Sequence, residues 1–191
     1  MSVQKIDTAY VGGSTKAQTF VVDTNVLYFI HSGYYSTENT KNIAYSNFVQ
    51  KLIANGNKLT ISVANIQELF YGIENKEYQI YCNKNNQNKK KADGTTENPF
   101  TKKDFRANII LRKLVQKKLQ SILVELKETY NLSNCTITKE QVEDFLSQYD
   151  NHRYDPIDFF VVNNMVIDSF INFITDDSDF TYDANINVFT L

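Results

Sequence analysis

Four acidic residues stand at the edges of apolar runs, at positions where a carboxylate would be held against a core. Asp23 closes the β-branched run in FVVDTNVLYFI, and Glu68 is set inside LTISVANIQELFYGI. Asp158 precedes a nearly apolar run in YDPIDFFVVNNM, and Asp177 follows another in NFITDDSDF. Converging carboxylates repel, since two like charges about 4 Å apart cost about 4 kcal/mol at an effective dielectric near 20. A site built from them must hold protons or bind cations. Hard oxygen donors, with no His or Cys in the same segments, favour Mg²⁺ or Mn²⁺ over Zn²⁺. One or two such ions can activate water and stabilise charge on a scissile phosphodiester, so no protein general base is needed. His31 and His152 therefore receive no catalytic role. Two local choices stay open, because Asp155 lies near Asp158 and Asp176 adjoins Asp177.

These acids must be carried by strand ends and by the helix turns beyond them. Thr19–Val22 is a short buried strand by length and residue type. Residues 40–55 place Ile43, Ala44, Phe48, Leu52 and Ile53 at helical spacing, with Gly56 as the stop. Leu59–Ser62 reads as a second strand, followed by a helix from about Ala64 to Asn75. Thr101-Lys-Lys-Asp104 resembles a capping box opening a helix to about Tyr130, roughly 43 Å long. Its apolar side would carry Leu111, Val115, Leu119, Ile122 and Leu126, and its opposite side Lys102, Arg106, Lys113 and Lys117. Cys135–Ile137 is a short strand candidate, Thr138 caps a helix through about Gln148, and Pro156 starts another through Val166. Phe170–Thr175 and Asn187–Thr190 supply the last strands. Strands alternating with helices predict an α/β class fold, a three-layer α/β/α sandwich on a mainly parallel sheet of about five strands. Sites in such sheets lie just beyond the carboxyl ends of strands. Residues 1–17 read as a polar lead-in and 18–191 as one domain, with a Lys/Asn-rich insertion at about 82–101 expected to be a mobile loop.

Charge is unevenly spread. The 191 residues carry a formal charge of −2. Residues 82–118 nevertheless hold eleven basic and three acidic residues, while the remainder hold nine basic and nineteen acidic. An acidic surface beside a basic arm suits a metal-dependent enzyme acting on a polyanion. Lys89, Lys90 and Lys91 in that arm, with Lys102, Arg106, Lys113 and Lys117, are the candidate phosphate contacts. The chain contains 22 asparagines, an excess resembling AT-rich coding bias, so a lone Asn or Lys carries little weight. No apolar run approaches a membrane span, and the N-terminus lacks the apolar core of a secretory signal. Cys82 and Cys135 lie far apart without a CxxC, which argues against a thiolate zinc site or a disulfide framework. The expectation is a cytoplasmic protein with no membrane partner.

Taken in order, these segments resemble the PIN-domain family of metal-dependent nucleases. DTNVL at 23–27 is similar to its opening motif, and SVANIQELFYGI at 62–73 to the segment bearing its helical Glu. DFFVVNNM at 158–165 resembles the helix of its third acid, and TDDSDF at 175–180 its T-x-D-x-D-F ending. The resemblance covers roughly residues 19–80 and 101–191. It implies a Mg²⁺ site of Asp23, Glu68, Asp158 and Asp177, with Asp179 as a nearby fifth acid. It also implies support for the carboxylates from Thr24, Asn25 and Thr175. Asp158 fits the following apolar helix better than Asp155, and Asp177 fits the spacing after Thr175 better than Asp176. Within the family the VapC-type toxins are the nearest group: endoribonucleases cutting structured RNA, silenced by a cognate antitoxin, and usually dimeric. The resemblance thus implies RNA as substrate, an antitoxin as protein partner and a homodimer as assembly. The 82–101 insertion falls where small members carry a helical clip that meets partners and RNA. The alternative is a PIN-like module that binds RNA or protein without cutting. A haloacid-dehalogenase-type phosphatase is disfavoured, since Asn25 occupies the place of its second Asp.

Overall fold

Short β-branched and aromatic runs alternate with segments of helical periodicity, and the chain folds as parallel strands joined by helices. The computed structural model describes residues 2–6, 17–35, 39–85, 87, 89–90, 96–97, 99–149 and 153–191. In chain order the elements are β1 (Ser2–Lys5), β2 (Thr19–Val22), α1 (Thr24–His31), α2 (Thr40–Ala54), β3 (Lys58–Ser62) and α3 (Val63–Lys84). Then come β4 (Lys89–Lys90), β5 (Thr96–Glu97), α4 (Lys102–Ala107), α5 (Ile109–Thr129), β6 (Asn131–Ser133) and α6 (Lys139–Ser147). The last are α7 (Pro156–Ile167), β7 (Asn172–Ile174) and β8 (Asn187–Thr190), with a 3-10 turn at Ser178–Tyr182 between the two strands.

Six strands form one sheet in the order β1-β8-β7-β2-β3-β6, every pairing parallel. Strand β2 lies between β7 and β3, with Val22 opposite Ile174 and Val21 opposite Thr60. The chain leaves β2 for β3 on one side and later returns to β7 on the other. The carboxyl ends of three strands therefore open at the switch point where such sheets hold ligands. Side chains alternate across the sheet, as the pleat requires. Val21, Phe173 and Val188 join a core with Phe145 of α6 and Phe159, Phe160 and Met165 of α7. On the other face Phe189 meets Phe20 and Phe48 of α2, at ring-centroid distances of 5.1 and 6.0 Å. This is the α/β/α layering read from the sequence, with one strand more than the expected five. The extra strand, β1, comes from the polar lead-in and pairs with β8 through Val3 opposite Val188. A short polar edge strand buries little, so it leaves no periodic trace.

Helix α7 ends in a way that aims the chain into β7. Phe170 N–H donates to the Met165 carbonyl (2.8 Å) and Ser169 N–H to that of Val166 (2.9 Å), the two bonds of a Schellman turn. Ser169 adopts φ 66°, a left-handed conformation that normally favours glycine.

The chain groups into two compact units, residues 1–69 with 127–191, and Phe70–Leu126. Within Phe70–Leu126 two sequence expectations are corrected. Helix α3 does not stop near Asn75 but continues to Lys84, because Tyr78 and Cys82, one turn apart, bury against Phe105 and Val115. Of the 82–101 insertion, expected to be a mobile loop, the described residues begin in that helix and pair β4 with β5 antiparallel, Lys89 opposite Glu97, and much of the rest lies outside the described residues. The long helix from Lys102 breaks at Asn108 (φ −78°, ψ 113°), whose side chain accepts from the N–H groups of Ile110 and Leu111 and starts α5 afresh. The capping box at Thr101 and Asp104 is present. In the larger unit the strand expected at Cys135–Ile137 lies instead at Asn131–Ser133, where Asn131 pairs opposite Thr60 of β3.

Two substitutions test this packing. Phe173→Ala, at a position 1% exposed in the core under α7, should cost about 3–5 kcal/mol in urea unfolding. Ser169→Gly should stabilise by about 0.5–1 kcal/mol by relieving the left-handed serine, and a loss of stability would contradict the Schellman geometry.

Candidate active site

Strand β2 delivers Asp23 to the switch point with both carboxylate oxygens engaged. Oδ1 accepts from Thr24 N–H (2.6 Å), capping α1, and Oδ2 accepts from the Thr175 hydroxyl (2.8 Å). The Asp23 N–H continues the β7 ladder by donating to the Ile174 carbonyl (3.0 Å). Asp23 is only 5% exposed. Burial pushes its carboxyl up to about 7, the two hydrogen bonds oppose that rise, and the charges of Glu68 and Asp177 add to it.

Glu68 comes from the second turn of α3, which starts directly after β3. Its Oε2 accepts from the Thr24 hydroxyl (2.6 Å), and that hydroxyl in turn accepts from Asn65 Nδ2 (3.0 Å). The fully buried Asn65 is itself held by Ser62 N–H donating to its Oδ1 (3.2 Å). This relay orients the Glu68 carboxylate from β3 and α1 together. Asn65 was not singled out from sequence; its signal is the three-residue spacing to Glu68, which puts both on one helix face.

Beyond β7, Thr175 gathers the next residues. Its hydroxyl oxygen accepts from Asp177 N–H (2.9 Å) and from Asn25 Nδ2 (3.4 Å), while Asn25 Oδ1 accepts from Asp176 N–H (3.0 Å). The adjacent acids then part ways. Asp176 accepts from the Tyr45 hydroxyl (2.9 Å) and pairs with Lys41, which ties it to α2. Asp177 instead accepts from Asp179 N–H (2.8 Å), and its charge acts on Asp23 and Asp158. Asp179 sits at the rim, where its side chain lines a neighbouring pocket with Arg153 and Tyr154.

The acids at the start of α7 also divide. Asp155 caps the helix, its Oδ1 accepting from the N–H groups of Ile157 (2.8 Å) and Asp158 (2.9 Å). Among the described residues the Asp158 carboxylate accepts no hydrogen bond. Burial pushes it up to about 9, helped by the charges of Asp23, Asp155, Glu68 and Asp177. Asp23, Glu68, Asp158 and Asp177 thus share one electrostatic neighbourhood. The donor set is hard oxygen throughout, which suits Mg²⁺ or Mn²⁺. Among the described residues no group of three or more acidic, His or Cys side chains is arranged as a metal cage.

The basic candidates are less uniform than their spacing suggested. The break at Asn108 separates Lys102 and Arg106 from Lys113 and Lys117, so the four do not form one helical stripe. Arg106 is taken by Glu74 through two hydrogen bonds, and Lys102 lies over Tyr71, 4.5 Å from its ring centroid. Lys113 and Lys117 are exposed one turn apart on α5. Lys91 and the side chains of Lys89 and Lys90 lie outside the described residues, as does His152. His31 meets the Tyr130 hydroxyl (3.0 Å). Among the described residues no helix is long and apolar enough to cross a membrane.

The raised carboxyls set a pH dependence. A group whose folded pKa lies above its unfolded value near 3.8 stabilises most fully at low pH, and that contribution is lost as pH rises. For Asp23 and Asp158 the loss spans about pH 4 to 7 and 4 to 9. In EDTA, Asp158→Asn should match wild type near pH 4 and exceed it by on the order of a few kcal/mol near pH 9. A pH-independent gap in urea midpoints would remove Asp158 from this field.

No family model matches the chain, and no curated protein matches it significantly. Among solved structures it is similar to a chain of the crystal structure of VapBC2 from Rickettsia felis bound to a DNA fragment from their promoter. The TM-score is 0.51 at 14% identity, over 89% of this chain and 96% of that chain. At that identity the likeness is one of fold, and it extends over nearly the whole of both chains.

Proposed function

We propose that this chain is a PIN-type, Mg²⁺-dependent endoribonuclease, toxin-like, with a cognate antitoxin as its protein partner. The observation that carries the reading is the shared field of Asp23, Glu68 and Asp177, which follow β2, β3 and β7, with Asp158 from the first turn of α7. A bound Mg²⁺ or Mn²⁺ would supply Lewis-acid activation of water and of the scissile phosphate. Thr175 and the Thr24 N–H fix the Asp23 carboxylate, and the Thr24–Asn65 relay fixes Glu68. Among the described residues Asp158 accepts no hydrogen bond, and a bound cation would offset the repulsion it meets there. The fold likeness to VapBC2 supports the toxin-like part of the reading, and exposed Lys113 and Lys117 supply sequence-independent phosphate contacts.

The alternative is a PIN-like module that binds RNA or protein without cutting. Incubating the purified protein with labelled total RNA, in Mg²⁺ or in EDTA, separates the two. The nuclease reading expects cleavage in Mg²⁺ alone, abolished by Asp23→Asn in a protein of unchanged circular dichroism. Thr24→Val, which removes the hydroxyl shared by Glu68 and Asn65, should lower activity about tenfold to a hundredfold. Cleavage that survives Asp23→Asn would overturn the mechanism.

A further inference from the structure

Beside the acidic cluster lies a pocket of about 340 Å³ lined by Arg153, Tyr154, Asp179, Tyr182, Asp183 and Asn185 among others. Arg153 is the only arginine outside residues 70–126. Its guanidinium carbon stands 3.6 Å from the ring centroid of Tyr182, which is 59% exposed. Both partners are tied to the acids. Arg153 lies two residues before the α7 cap Asp155, and Tyr182 ends the 3-10 turn that Asp177 caps.

The guanidinium is placed among carboxylates yet pairs with none of them among the described residues. Asp183 is occupied by the Tyr154 hydroxyl (3.1 Å) and by Asn185 N–H (2.7 Å). Stacking on an aromatic face orients the guanidinium plane while leaving its five N–H donors free. Such a fork matches two oxygens of a phosphate. A polyanion approaching a cluster of carboxylates is repelled, so a rim cation is needed where the strand enters. Lys41, the other cation described beside these loops, is consumed by Asp176.

We propose that Arg153, held in place by Tyr182, is a subsite for a backbone phosphate of the RNA strand flanking the scissile bond. The proposal rests on the nuclease reading above and adds the residue that admits the strand to the acidic site. Arg153 touches the substrate, and Tyr182 is a positioning residue.

The test uses the full chain carrying Asp23→Asn, so that RNA is bound without being cut, and a short fluorescent single-stranded RNA read by anisotropy across a salt series. Arg153→Ala should raise Kd roughly fivefold to tenfold at low salt and reduce the slope of log K against log salt by about one. Tyr182→Ala should weaken binding similarly, while Tyr182→Phe, which keeps the ring face, should bind as the parent does. An unchanged slope in Arg153→Ala, a Tyr182→Phe variant as weak as Tyr182→Ala, or a parent that does not bind the RNA each overturns the subsite. Cleavage by the chain with Asp23 intact is measured in parallel. An RNA held through Arg153 but never cut in Mg²⁺ would leave the subsite standing and remove the nuclease.

Discussion

A carboxylate buried at the end of the central strand is the constraint around which the rest of the larger unit is arranged. Asp23 cannot be ionised cheaply where it stands, because burial raises its pKa against the pull of two hydrogen bonds. It is held there by groups from three places: the α1 backbone, the β7 ladder and the Thr175 hydroxyl. Removing water from a carboxylate is tolerable only when its lone pairs are satisfied, so the position of Thr175 is as constrained as that of Asp23. Thr175 is in turn fixed by Asn25 and by the N–H of Asp177, and the same contacts set where the fourth acid begins.

The sheet topology makes this economical. Because β2 has β3 on one side and β7 on the other, three strand ends meet without any long loop reaching across. Each acid then follows its strand by a short, locally determined step: Asp23 as a helix cap, Glu68 two turns into α3, Asp177 as the cap of a 3-10 turn. Asp158 is the exception, arriving from the N-terminus of α7 with a carboxylate that accepts no hydrogen bond among the described residues. It is also the acid whose pKa is raised furthest among those in this neighbourhood.

Much of this was legible from the sequence because burial and capping are local. The run Thr19–Val22 ending in an acid, the capping signals at Thr101 and Thr138, and Pro156 at a helix start all declare themselves within a few residues. What stayed hidden depended on distant partners. The extension of α3 rests on Tyr78 and Cys82 meeting Phe105 and Val115 from later helices, inside a stretch whose Asn and Lys content resembles a loop. The break at Asn108 is invisible to periodicity, since the apolar spacing continues through it. The β6 strand is set by register against β3 rather than by its own residues, two of which are exposed. The basic stripe failed for the same reason: Glu74, thirty-two residues away, takes up Arg106.

The paired acids show how a fold gives different surroundings to carboxylates of the same residue type. Asp155 and Asp158 are three residues apart, and Asp176 and Asp177 are neighbours, so residue type cannot tell the members of a pair apart. Donors can. Asp155 takes two backbone N–H groups, and Asp176 takes a tyrosine hydroxyl and a lysine. Asp158 and Asp177 are left with fewer partners, within the field of Asp23. A carboxylate with few donors, set among like charges, is the one whose ionised form its neighbours raise most in energy. The same contrast sorts the basic residues, since Arg106 is paired with Glu74 while Arg153 lies over a tyrosine ring and, among the described residues, pairs with no carboxylate. In both signs of charge, residue type is the same within each set, and the partners that the fold supplies make the difference.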